Sequence, residues 1–118
     1  MAIEYAFTGL PVTDLPAAQA WYERLLGREP NFFPNENEAV WQLTDTAWIY
    51  VVIDAERAGR GLLTVLVDDL AALVGDLGER GIDAGEMETF AEVMRRVRIL
   101  DPDGNRLTFA ENLGQPAE

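Results

Sequence analysis

Two pairs of residues carry most of the chemistry this chain could perform. Trp48 and Tyr50 sit two positions apart, and so do Arg96 and Arg98. In a β-strand that spacing puts both side chains on one face. Paired aromatic rings can flank a planar group, each stacking contact contributing about 0.5–1.5 kcal/mol beyond area burial, and more for a cation. Paired guanidiniums instead select an anionic or carbonyl-bearing group. Thiol and imidazole chemistry is excluded. The chain has no cysteine and no histidine, which removes disulfides, thiolate sites, the commonest metal ligand and the usual general base near neutral pH.

Strands must hold those pairs, and the sequence supplies them. Arg95 to Leu100 and Arg106 to Glu111 alternate apolar and polar residues around the turn Asp101-Pro102-Asp103-Gly104-Asn105. That pattern predicts a β-hairpin with one apolar face. A fainter copy lies earlier in the chain. At an offset of 55, Val12-Thr13-Asp14-Leu15 falls on Val67-Asp68-Asp69-Leu70, with Leu10 over Val65 and Phe7 over Leu62. The hairpin from Trp41 to Val52 matches Val97 to Ala110, with two extra residues assigned to the later turn. A period of this size indicates a duplicated supersecondary unit.

In chain order, Tyr5 to Val12 is a strand. Asp14 caps a helix with Pro16 in its first turn, and Gly27 stops it after Leu26. Residues 31 to 37 read as irregular or a short strand, and a hairpin spans about 39 to 53. The polar stretch 54 to 61 links the halves. Leu62 to Val67 is the next strand, Asp68 or Asp69 caps a second helix, and residues 83 to 92 read as an acidic loop before the last hairpin. The organisation expected is one domain over residues 1–118, made of modules at about 1–55 and 60–113 with a frayed tail at 114–118. The fold class is α+β. Two βαβββ modules form a curved mixed sheet with helices on the convex face and a cup on the other.

Strand parity assigns residues to that cup. If Leu10, Val12, Val97, Ile99, Leu107 and Phe109 face the helices, then Phe7, Gln42, Trp48, Tyr50, Leu62, Arg96, Arg98 and Thr108 face the cup, with Gly9, Thr64 and Arg106 beside them. Trp41 and Phe109 belong to the core.

Charge and hydropathy narrow the partners. The net charge is −12, from 21 acids against 9 bases, where nucleic-acid binding needs a basic stripe. It suits solubility, or the steering of a cationic ligand. No apolar run approaches the ~20 residues of a membrane span, and no signal-peptide pattern opens the chain. A cytoplasmic protein that binds neither nucleic acid nor membrane is expected.

Taken together, Leu10-Pro11-Val12-Thr13-Asp14-Leu15, the Trp21-Tyr22 pair, Leu25-Leu26-Gly27, the repeated Val67-Asp68-Asp69-Leu70 and the Asp101 to Asn105 turn resemble the vicinal oxygen chelate superfamily. This is the fold of glyoxalases, bleomycin-resistance proteins and extradiol dioxygenases. The resemblance covers roughly residues 5 to 112 and speaks for the fold rather than for one activity. It implies a homodimer in which units of different chains complete each cup. It also implies that metal ligands would fall on Phe7, Tyr50, Leu62 and Thr108, none of which is an ordinary ligand for Zn, Fe, Mn or Ni. Glu111 is the nearest acid, but parity turns it to the other face.

The chain therefore resembles most the metal-free, bleomycin-resistance-like binders. The expectation is a small-molecule binder with no cofactor, no metal and no catalytic residue, taking a planar aromatic or antibiotic-like ligand. One alternative is a metal-dependent lyase, isomerase or dioxygenase, or an enzyme working through Arg98, Tyr50 and Glu111. A second is a dimerisation module without ligand.

Overall fold

The computed structural model describes residues 1–114. The chain runs β1 (Ala6–Val12), α1 (Leu15–Leu26), β2 (Phe32–Asn35), β3 (Glu38–Gln42), β4 (Ala47–Ile53), β5 (Leu62–Leu66), α2 (Leu70–Glu79), β6 (Glu88–Phe90), β7 (Met94–Leu100) and β8 (Arg106–Asn112). Of the tail expected to fray, residues 115–118 lie outside the described residues.

Local chemistry accounts for the helix ends. Asp14 stays extended and its carboxylate accepts from the Ala17 N–H, satisfying one of the free donors of the first turn of α1. Gly27 closes that helix in the left-handed conformation, its N–H donating to the Glu23 carbonyl. Of the two aspartates expected to cap α2, Asp69 does so, accepting from the Ala72 N–H.

Each βαβββ module makes its own four-stranded mixed sheet, in the orders β1-β4-β3-β2 and β5-β8-β7-β6. The first strand of each lies parallel to the last, and the remaining pairs are antiparallel. The duplication is visible in the register. Phe7 faces Trp48 and Gly9 faces Tyr50, as Leu62 faces Arg106 and Thr64 faces Thr108. Val40 opposite Tyr50 likewise recurs as Arg98 opposite Thr108.

This register moves the extra residues. Gln42 pairs with Trp48 and Leu100 with Arg106, so the two hairpin turns are equally long. The insertion lies ahead of the second hairpin, and Trp41 corresponds to Ile99 rather than to Val97. The acidic segment 83–92 also contains β6, whose Glu88, Thr89 and Phe90 pair with Arg96, Arg95 and Met94. Three residues are too few for a periodic signal to show.

One apolar core runs through both modules. Leu15, Ala18, Tyr22 and Leu25 of α1 pack with Leu10, Val12, Trp41, Ile49 and Val51, and the same cluster takes in Leu70, Leu77, Val97, Ile99, Leu107 and Phe109. Trp41 and Phe109 are buried in it, as expected. Polar groups also join the modules. The Asp101–Asn105 turn docks on the first module, with Asn105 Nδ2 donating to the Pro11 carbonyl and Thr13 donating to Asp103 through both its N–H and its hydroxyl. The sheet surface is thus divided into two four-stranded pieces, each with its apolar side inward and its other side open.

Candidate functional site

The open side of the first sheet is an aromatic wall. Phe7, 53% exposed, stacks on Trp48 with ring centroids 5.6 Å apart and planes 22° from parallel. Phe32 meets the other side of Trp48 edge-on at 6.2 Å. The Trp48 Nε1–H is shielded from solvent and has no acceptor among the described residues. Tyr50 lies over Gly9, where a Cβ would come within 2.6 Å of the phenol ring. The absence of a side chain at Gly9 lets the ring lie this close. Gln42 stands at the end of the wall, its side-chain amide donating to the Asp45 carbonyl while its backbone carbonyl accepts from Arg28.

Leu62, Thr108, Arg96 and Arg98 lie on the open side of the second sheet, where Leu62, Thr64, Arg96, Arg98, Arg106 and Thr108 line a cavity of about 220 Å³. Glu88 sits between two guanidiniums, 3.2 Å from Arg96 and 3.0 Å from Arg98. The Arg96 guanidinium also lies 4.5 Å above the centre of the Phe90 ring. Arg106 is exposed and makes no ion pair among the described residues.

The eight residues assigned to the cup by parity therefore divide evenly. Phe7, Gln42, Trp48 and Tyr50 share the first sheet, and Leu62, Arg96, Arg98 and Thr108 share the second. The eight thus belong to two separate four-stranded sheets. A groove of about 310 Å³ runs between the modules past Trp48 and Thr64. Sequence reasoning missed Phe32, Glu88 and Phe90, because β2 and β6 are too short to show a period, and it left Arg106 unassigned to a role.

The positions where the superfamily holds metal are occupied by two hydrocarbon side chains, a phenol and a hydroxyl. This donor set does not fit a divalent transition metal. Glu111 does not complete it. Its carboxylate is turned to the helix side, accepting from the Leu70 N–H at 3.0 Å and pairing with Arg95 at 3.1 Å. Among the described residues no cluster of three or more acidic side chains stands in metal-binding proximity, and no helix is long and apolar enough to cross a membrane.

Comparison with solved structures places the fold. A glyoxalase/bleomycin resistance protein from Catenulispora acidiphila DSM 44928 superposes with a TM-score of 0.85 and 46% sequence identity, over 91% of this chain and 96% of that one. The chain belongs to the glyoxalase/bleomycin resistance family. The vicinal oxygen chelate resemblance and the two-module α+β fold are thereby confirmed. More distant structures share the fold. TnmS3, an antibiotic binding protein from Streptomyces sp. CB03234, has a TM-score of 0.76 at 22% identity, over 95% of this chain and 98% of that one. A bleomycin-binding protein complexed with bleomycin has a TM-score of 0.74 at 23% identity, over 91% of this chain and 97% of that one. No family profile and no curated protein sequence matches the chain.

Proposed function

We propose that this protein is a non-catalytic, metal-free binder of a small molecule, holding a planar aromatic group against Phe7, Trp48 and Tyr50. The observation that carries this reading is the aromatic wall itself. Phe7 is more than half exposed and stacked on a tryptophan, on a sheet face turned away from the core. Exposed, pre-stacked rings with few polar groups suit ligand binding better than catalysis. Structures of the same fold come from proteins described as antibiotic binding and bleomycin binding, which supports a ligand of that kind.

The cup is completed by a second copy of the chain, in a C₂ dimer that sets the aromatic wall of one copy against the second sheet of the other. Several features favour this. Phe7, Phe32, Leu62, Leu66 and Leu100 are all exposed. β1 and β5 each end their sheet with an unpaired edge, which proteins usually cover. The chain is also more open than a compact domain of its length, with a radius of gyration of 14.9 Å against about 13.5 Å.

The test combines sedimentation with tryptophan fluorescence. A species of twice the 13.1 kDa chain mass is expected at tens of micromolar, and planar aromatic compounds should change the emission. Trp48→Ala and Tyr50→Ala should each weaken the best ligand by more than about twofold in calorimetric titration, the lower bound of a stacking contribution. If both variants bind as the parent does, the wall is only filling. A persistent monomer would overturn the shared cup.

A further inference from the structure

We propose that the ligand carries an anionic group, foremost a carboxylate, seated on Arg98 and Arg106 of the second sheet. This rests on the reading above and adds a charge to the planar ring. The chain as a whole is strongly acidic, at −12, yet three of its nine basic residues lie on the open side of this one sheet. Arg96, Arg98 and Arg106 all occupy positions that alternate with buried residues, and Glu88 is the acid paired with Arg96 and Arg98 among the described residues.

The arrangement is graded rather than neutralised. Arg96 is anchored twice, by Glu88 and by the Phe90 ring beneath it. Arg98 shares the same Glu88 carboxylate, so one acid serves two guanidiniums. Arg106 has none among the described residues. Thr64 and Thr108 are register partners at the floor of the same cavity, and Arg98 stands opposite Thr108. Two guanidinium forks and two hydroxyls match the donors a carboxylate takes up bidentately. On the first sheet, Arg28 at the end of the wall donates to the Gln42 backbone carbonyl, and Glu38 on the open face accepts from the Asn35 side chain.

Two electrostatic effects oppose each other here, and distance decides between them. The acidic surface repels an anion at long range but is screened beyond about 8 Å at physiological ionic strength. The arginines act at contact, well inside the screening distance. Local charge prevails once the ligand has arrived, so a cation is rejected at the site although the whole chain attracts it.

The experiment uses isothermal titration calorimetry at physiological salt with three matched probes: 2-naphthoate, 2-naphthamide and 2-naphthylmethylammonium. The acid should bind about tenfold more tightly than the amide, with the amine weakest. Arg98→Gln and Arg106→Gln, both at exposed positions, should narrow the acid-to-amide ratio by lowering acid affinity severalfold more than amide affinity. Trp48→Ala should weaken acid and amide alike. The ratio is taken within one protein sample, so loss of folded material does not imitate it. Amide or amine binding as well as the acid would overturn the charge assignment, while sensitivity to Trp48→Ala would keep the aromatic reading. If no probe binds, or if Trp48→Ala changes nothing, both readings fall.

Discussion

The Tyr22 hydroxyl donates a 2.7 Å hydrogen bond to Asp101 Oδ2, joining residues 79 positions apart. Tyr22 belongs to the helix of the first module and Asp101 opens the last turn of the second. The same carboxylate accepts from the Asn105 side chain and from the backbone N–H groups of Asp103 and Asn105. Asn105, itself buried, receives the Gly61 N–H on Oδ1. A turn that reads as ordinary hairpin chemistry is thus a polar clasp between modules.

Removing the hydroxyl should loosen that clasp. Tyr22→Phe should cost about 1.5–3 kcal/mol, as for a buried hydrogen bond to a charged acceptor. Asp101→Asn should cost at least as much, because several donors lose their charged partner. A double-mutant cycle in urea should show the two effects to be strongly non-additive. Additive losses would mean that the two side chains act independently.

The pH dependence follows from the same pair. Burial, and secondarily the Asp101 charge, hold the Tyr22 phenol well above its ordinary range. The folded state therefore keeps this proton where the unfolded chain would release it. The contribution is fully present below about pH 10 and is lost as pH rises above that value. Stability measured from pH 8 to 11 should fall more steeply for the parent than for Tyr22→Phe.

Gly9→Ala should disturb the site more than the fold. The added methyl would meet the far end of the Tyr50 ring, which can swing away. Unfolding free energy should fall by less than about 1 kcal/mol, within the range of ordinary surface changes and small strains. Affinity for the best planar ligand should fall as far as in Tyr50→Ala. Unchanged affinity would show that the Tyr50 orientation is irrelevant to binding.

The β6–β7 loop has a correctable strain. Ala91 and Glu92 both hold left-handed backbone, at φ of 54° and 61°, which costs a non-glycine residue about 1 kcal/mol. Ala91→Gly and Glu92→Gly should each raise the urea midpoint, whereas Ala91→Val should lower it, since a β-branched side chain tolerates that conformation worst. Thermal or chemical denaturation of the three variants checks the order.

The donor set bears on metal content. Phe7 and Leu62 have no ligand atom, and Glu111 is engaged by Leu70 and Arg95 on the opposite side of the sheet. Dialysed protein should contain no stoichiometric Zn, Ni, Fe or Mn. About one retained atom per chain by elemental analysis would contradict the metal-free assignment.

Local periodicity carried much of this architecture. The alternation of Val97 and Ile99 with Arg96 and Arg98, and the stripe of Leu15, Ala18, Tyr22 and Leu25, determine which side of each element is apolar, because strand and helix repeats depend only on near neighbours. The same locality made Asp14 and Gly27 legible as helix ends and made the duplication visible. It could not place the insertion ahead of the second hairpin, since register is set by which strands pair and not by similarity along the chain. Nor could it separate Phe7, Trp48 and Tyr50 from Arg96 and Arg98. Parity puts all of them on open faces, and only the division into two sheets shows that they line different ones. The pairing of Glu88 with two arginines, the isolation of Arg106, and the bond from Tyr22 to Asp101 were likewise decided by tertiary structure. Each joins groups brought together by packing, for which spacing along the chain leaves no signal.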